Sequence, residues 1–149
     1  MFSGFFNEAH KRYEWAQHGL HRRLMILLYY NRQFSRVGKG LDFHGKSQVH
    51  GQGMILAGKN LVLNGNVELW AGENATMIIG DNVFINGGVL ISSKLRIEIG
   101  DSTLIGHQTI IFDTDWHGID GNKPAEAPIR IGKHVWIGTR SIILKGLRV

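Results

Sequence analysis

The chain contains no cysteine. That excludes disulfides, a cysteine nucleophile and thiolate metal sites, and it leaves the redox compartment open. Proline is nearly as scarce: two in 149 residues, Pro124 and Pro128. A collagen-like chain is excluded by that scarcity and by the lack of a three-residue glycine period. Long apolar runs are missing as well. The stretch Leu24-Met25-Ile26-Leu27-Leu28-Tyr29-Tyr30 is far short of the ~20 residues a membrane span needs. No signal peptide is evident, so a cytoplasmic protein is expected. No recognised nucleic-acid-binding motif is present, and nucleic acid is not an expected partner.

Acidic residues are sparse at one end. Residues 1 to 40 carry seven Lys/Arg against Glu8 and Glu14, whereas the remaining 109 carry ten of each sign. The net charge of +5 therefore resides in the N-terminal part. Residues about 5 to 30 read as a helix. Phe2, Phe5/Phe6, Ala9, Tyr13, Ala16, Leu20, Leu24 and Leu27/Leu28 recur at spacings of three or four, the mark of an amphipathic stripe. The basic face is either a solvated helix surface or a surface for anionic lipid or a polyanion. Residues 1–36 are read as this basic helical appendage, and packing within an oligomer is the expected home of its stripe.

From residue 37 onward the apolar residues repeat every six. Val37, Phe43, Val49, Ile55, Leu61 and Val67 form one run. Ile79, Ile85, Ile91 and Ile97 resume it, then Ile99, Ile105 and Ile111, then Ile131, Ile137, Ile143 and Val149. Six fits neither a 3.6-residue helix nor a two-residue alternation; it fits a chain that turns a corner every six residues and buries one side chain per face. Five of these positions open an Ile-Gly-x-x segment, at Ile79, Ile99, Ile105, Ile131 and Ile137. Glycine, at 20 residues, is about twice its usual frequency. Gly and Asp/Asn at corners are expected to take left-handed backbone conformations.

Two interruptions stand out. Glu73 occupies a position where an aliphatic residue is due, so Glu73-Asn74-Ala75 is expected to be a bulging corner. Residues 112 to 128 break the pattern completely and hold both prolines, as expected of a loop extruded from a corner.

The Ile-Gly-x-x series resembles the hexapeptide-repeat transferases. The resemblance covers about residues 37 to 149 and implies an all-β fold: a left-handed parallel β-helix, its triangular coils about eighteen residues long, preceded by the N-terminal amphipathic helix. Three further segments are similar to the branch that acetylates sugars: Asp113-Thr114-Asp115-Trp116-His117 in the insertion, Val135-Trp136-Ile137-Gly138 after it, and Phe84-Ile85-Asn86.

On spacing alone, His117 is either an exposed loop residue or a proton acceptor near two carboxylates. The resemblance implies the second: His117 as the general base of an acetyl-CoA-dependent O-acetyltransferase acting on a sugar or surface-polysaccharide precursor, without a covalent intermediate. Asp113 and Asp115 are then orienters of the imidazole or ligands of acceptor hydroxyls. Asn86, Ser92 and Trp116 are acceptor-binding candidates, although Ser92 and Ser93 stand where better-known sugar enzymes have acids. Trp136, Gly138 and Thr139 are candidates for the CoA groove, with the Gly138 N–H as an oxyanion donor. The resemblance also implies a homotrimer with clefts between subunits. Anionic membrane is a possible contact through residues 1–40, which would place the protein peripherally at an inner membrane face.

Two other readings remain at this level. One is a non-catalytic hexapeptide-repeat scaffold, since the chain stops at Val149 on a repeat position, as a truncated fragment or a short member would. The other is a hexapeptide-repeat carbonic anhydrase. It requires three histidines around a metal; His107 and His117 are spaced for it, but position 122 is Asn. No metal is therefore expected.

Overall fold

The structure, a computed structural model, describes residues 33–119 and 121–149. The expected N-terminal helix lies outside these residues. Fifteen short strands follow in five successive triplets. They are β1 (Arg36–Val37), β2 (Asp42–His44) and β3 (Gln48–Gly51); β4 (Met54–Ala57), β5 (Val62–Asn64) and β6 (Glu68–Ala71); β7 (Thr76–Ile79), β8 (Phe84–Ile85) and β9 (Leu90–Ser93); β10 (Arg96–Ile99), β11 (Leu104–Ile105) and β12 (Ile110–Phe112); β13 (Ile129–Ile131), β14 (Trp136–Ile137) and β15 (Ile142–Leu144). The first strands of the triplets form one parallel sheet, the second strands another and the third strands a third. The chain is thus a three-faced parallel β-solenoid. No helix among the described residues is long and apolar enough to cross a membrane.

Aliphatic columns run up the inside. Phe43, Leu63, Ile85, Ile105 and Ile137 stack on the second face. Val49, Leu69, Ile91, Ile111 and Ile143 stack on the third. Leu63, Leu69, Ile85, Ile91, Ile97, Ile111 and Ile129 are wholly buried. Burying one such side chain contributes about 1.5–3 kcal/mol, and β-branched residues suit a narrow interior of stacked strands.

The expected eighteen-residue coil is not what the register shows. Along the second-face column the offsets are 20, 22, 20 and 32 residues, from Phe43 to Leu63, Ile85, Ile105 and Ile137. The reason is that only the second and third faces keep six residues each. The first face buries two positions per strand, such as Met77 with Ile79 and Ile97 with Ile99. The re-phasing between Ile97 and Ile99 is this doubling. Leu61 and Val67 are buried, but the strand positions stacked on Phe43 and Val49 are Leu63 and Leu69.

The corner glycines also differ from expectation. In the Ile-Gly-x-x segments the left-handed residue is the fourth, and it is not glycine: Asn82 (φ 56°), Ser102 (57°), Gln108 (56°), His134 (57°) and Arg140 (58°). The glycine is required by proximity. A Cβ on Gly100 would lie 2.6 Å from the carbonyl carbon of Gly132 in the next rung, closer than real Cβ contacts allow. The Gly100 N–H donates to the Ile131 carbonyl at 2.8 Å, so the rungs are fixed at that separation. The aspartates in these segments tie one rung to the next. Asp81 Oδ1 accepts from the Lys59 N–H at 2.7 Å and Asp101 Oδ1 from the Asp81 N–H at 3.0 Å. The hydrogen bond from Lys133, with the Asp81 amide behind it, holds the Asp101 carboxyl below its ordinary range.

Two neighbouring substitutions should therefore act in opposite directions. Gly100→Ala is expected to cost about 2 kcal/mol or more through backbone overlap. Ser102→Gly is expected to gain about 0.5–1 kcal/mol by relieving a left-handed non-glycine residue. Chemical denaturation of both variants checks this; a neutral Gly100→Ala would contradict the close-approach explanation.

Candidate active site

All large variation in rung length occurs at one place, the return corner where the chain leaves the third face for the first face of the next rung. Two residues separate β3 from β4, four separate β6 from β7, two separate β9 from β10, and sixteen separate β12 from β13. The four-residue corner contains Glu73 and Asn74, with Asn74 left-handed at φ 65°, so it bulges as expected. The sixteen-residue insertion carries His117. Its base is a short antiparallel pairing, with the Asp115 N–H on the Ala125 carbonyl and the Ala127 N–H on the Asp113 carbonyl, each at 3.0 Å. Thr114 and Glu126 form the bridge between the two arms.

Asp113 anchors this base to the rung below. It is wholly buried. Its Oδ2 accepts from Ser93 Oγ at 2.7 Å, the Leu95 N–H at 2.9 Å and the Arg96 N–H at 2.7 Å; its Oδ1 accepts from the Lys94 N–H at 2.7 Å. A return corner leaves consecutive amides without strand partners, and a carboxylate from the next rung satisfies three of them. Asp113 thus serves the corner, not the imidazole. Ser92 needs a similar correction. It is 4% exposed, in register between Trp70 and Phe112 on the third face, so it is a buried seat for neighbouring rings and not a surface ligand for an acceptor. Ser93, bound to Asp113, is also buried.

Asp115 is exposed, and its Oδ1 accepts from Lys145 Nζ at 2.5 Å. The His117 N–H donates to the Asp115 carbonyl at 2.7 Å, closing a three-residue turn around Trp116, whose φ is 63°. The His117 side chain is exposed. Trp116 packs back on the third face. Its ring centroid is 5.2 Å from that of Trp70, tilted by 43°, and 6.2 Å from that of Phe112, edge-on at 77°. Lys94 Nζ stands 5.0 Å over the Trp116 ring.

The other candidates occupy a different edge. Asn86 follows β8 at the corner between the second and third faces. Its Oδ1 accepts from Asn64 Nδ2 at 3.0 Å and from the Gly87 N–H at 2.8 Å. Gly138 and Thr139 sit at the same edge two rungs later. The Gly138 carbonyl accepts from Thr109 Oγ1 at 3.1 Å and Ser141 Oγ at 2.8 Å. At the equivalent residues Gly80, Gly100, Gly106 and Gly132 the N–H is taken by the rung above, so this class of amide normally serves stacking. Trp136 is 68% exposed on β14, and Ile142 is 61% exposed just past the corner. Arg140 lies between them, its Nε donating to Gln108 Oε1 at 3.0 Å. A single chain therefore brings His117, Asp115 and Trp116 together and keeps Asn86, Trp136, Gly138 and Thr139 on another edge.

Trp70, Phe112 and Lys94 were not singled out by the sequence. Trp70 is 46 positions from Trp116, and only the rung register places them side by side. Among the described residues no group of three or more His, Asp or Glu gathers as a metal site.

A three-faced parallel solenoid with a histidine-bearing loop at a corner is the architecture that the resemblance to the hexapeptide-repeat acyltransferases implies. Sequence comparisons agree. A stretch of 73 residues, 46% of the chain, is 37% identical to nodulation protein L of Rhizobium meliloti (strain 1021) and covers 40% of that protein. A longer stretch of 123 residues, 76% of the chain, is 27% identical to the probable acetyltransferase Rv3034c of Mycobacterium tuberculosis, covering 38% of it. A third, of 66 residues and 41% of the chain, is 36% identical to polysialic acid O-acetyltransferase of Neisseria meningitidis and covers 31% of it. The chain thus spans 40% or less of the length of these relatives. No protein-family model matches the chain, and no solved structure matches it significantly.

Asp113 gives a direct check. Asp113→Ala strips an acceptor from three amides and a hydroxyl in a buried corner, and is expected to cost about 3–5 kcal/mol. Urea unfolding measures it; a loss below about 1 kcal/mol would show that the corner does not need the carboxylate.

Proposed function

We propose that the chain is the catalytic solenoid of an acetyltransferase that moves the acetyl group of acetyl-CoA to a hydroxyl of a sugar or polysaccharide. The observation that carries this reading is the exposed His117 on a loop rooted in a rigid, buried corner, in a chain similar to proteins named as acetyltransferases. The acceptor class is supported by one relative whose name specifies polysialic acid.

In the proposed reaction the acceptor hydroxyl lies against the neutral His117 imidazole. The hydroxyl oxygen attacks the thioester carbonyl carbon as the imidazole takes its proton. The C–S bond breaks, the ester forms, and the imidazolium returns the proton to the departing thiolate of CoA. No side-chain nucleophile is required. For the donor, the exposed Trp136 and Ile142 offer an apolar surface to the pantetheine arm, and Arg140 between them offers a cation to phosphate. Because that surface and Asn86 lie on a different edge from His117, the reading includes a second copy of the chain, so that the return corner of one subunit faces the other edge of its neighbour. A homotrimer of parallel solenoids satisfies this for all three sites.

The test is acetyl transfer from acetyl-CoA to polysialic acid oligomers and to neutral hexose oligosaccharides, read by mass spectrometry of the acceptor. His117→Ala is expected to lower the rate about 10²- to 10⁴-fold while acetyl-CoA binding, measured by calorimetry, stays the same. Equal transfer by the variant would remove His117 from the mechanism. Absence of acetyl-CoA binding in the wild type would favour the scaffold.

A further inference from the structure

We propose that Trp116 is a positioning residue for the His117 imidazole, clamped by Trp70, Phe112 and Lys94 on the third face; the proposal rests on the acetyl-transfer reading. A base must be held in place, and neither neighbouring carboxylate holds this one. Asp113 is spent on the amides of Lys94, Leu95 and Arg96, and Asp115 on Lys145. What fixes His117 is its backbone. The His117 N–H to Asp115 carbonyl bond spans only Trp116, at φ 63°. That is the γ-turn of positive φ, the rarer and strained form, and a bulky aromatic residue is a poor occupant of it. Such a turn persists only where its surroundings over-determine it.

The surroundings do so here. Trp70 and Phe112 lie two strands apart on the third face, about 9.6 Å by strand spacing. Between them is Ser92, whose small side chain leaves a gap. The Trp116 ring lies over that gap, 5.2 Å from one ring and 6.2 Å from the other. Lys94 covers it with a cation–π contact at 5.0 Å, and the Trp116 N–H donates to Thr114 Oγ1 at 3.2 Å. The ring locks the turn, and the turn aims the next residue. Ser92 thereby acquires a role, as the seat that admits the indole.

The experiment compares the wild-type chain with Trp70→Ala, Trp116→Gly, Trp116→Phe and His117→Ala. Glycine keeps the turn's φ but removes the anchor; phenylalanine keeps a ring. Trp116→Gly lies in the loop and leaves the core intact, so it answers the question should Trp70→Ala fail to fold. Two readouts are taken: hydrogen–deuterium exchange of the peptide spanning residues 114–118, and acetyl transfer with kcat and KM for acetyl-CoA separated. Trp70→Ala and Trp116→Gly are expected to speed exchange in that peptide about tenfold, with the solenoid unchanged. They should also lower kcat about 10- to 100-fold with KM within about twofold, as expected for roughly 1 Å of misplacement. Trp116→Phe should restore most of both. Unchanged exchange in these variants overturns the clamp whatever the activity, and faster exchange with intact kcat overturns the positioning role. Equal transfer by wild type and His117→Ala sinks the acetyl-transfer reading, while the exchange arm still judges the clamp.

Discussion

The separation between successive rungs, about 4.8 Å between paired strands, governs what stands at almost every position of this chain. Each rung is bonded to the next through backbone amides such as Gly100 to Ile131 and Gly106 to Ile137. At the corners the backbones approach so closely that no side chain fits, and glycine follows. Inside, the same spacing puts Ile on Ile in columns that exclude water along the whole stack. The fold is built from local repetition, and its stability is a sum over neighbouring rungs.

That constraint also dictates where chemistry can be added. The second and third faces hold six residues per rung and admit no change in length without losing register. The return corner lies outside the three sheets, and it absorbs four residues at 72–75 and sixteen at 113–128. An extruded loop needs a root, however, because a corner displaced from its sheet leaves amides unsatisfied. Asp113 provides that root by reaching down one rung to three amides. The proposed site thus has a base bonded into a buried corner and an exposed histidine at its end, the combination that the proposed acid–base chemistry requires.

Much of this was visible in the residues. The period of six, the Ile-Gly-x-x segments and the break at 112–128 led to a solenoid with a corner insertion, because burial of one side chain per face leaves a regular trace. The doubling on the first face was present as a two-residue slip between Ile97 and Ile99, yet a slip has no direction until the strands are paired. The site was legible only in part. His117 stands off the repeat and announces itself, but the two aspartates beside it look alike in sequence. One is wholly buried and the other is exposed beside Lys145.

The sequence by itself determined the repeat and the place of the loop, since each follows from what a residue can do within its own rung; the reason for the corner glycines, contact with the next rung, came only with the stacking. Tertiary structure alone decided that Asp113 serves the backbone, that Ser92 lies beneath rings, and that Trp70 meets Trp116. Those pairings join residues 17 to 46 positions apart, and they depend on a register that the variable return corner resets at each turn.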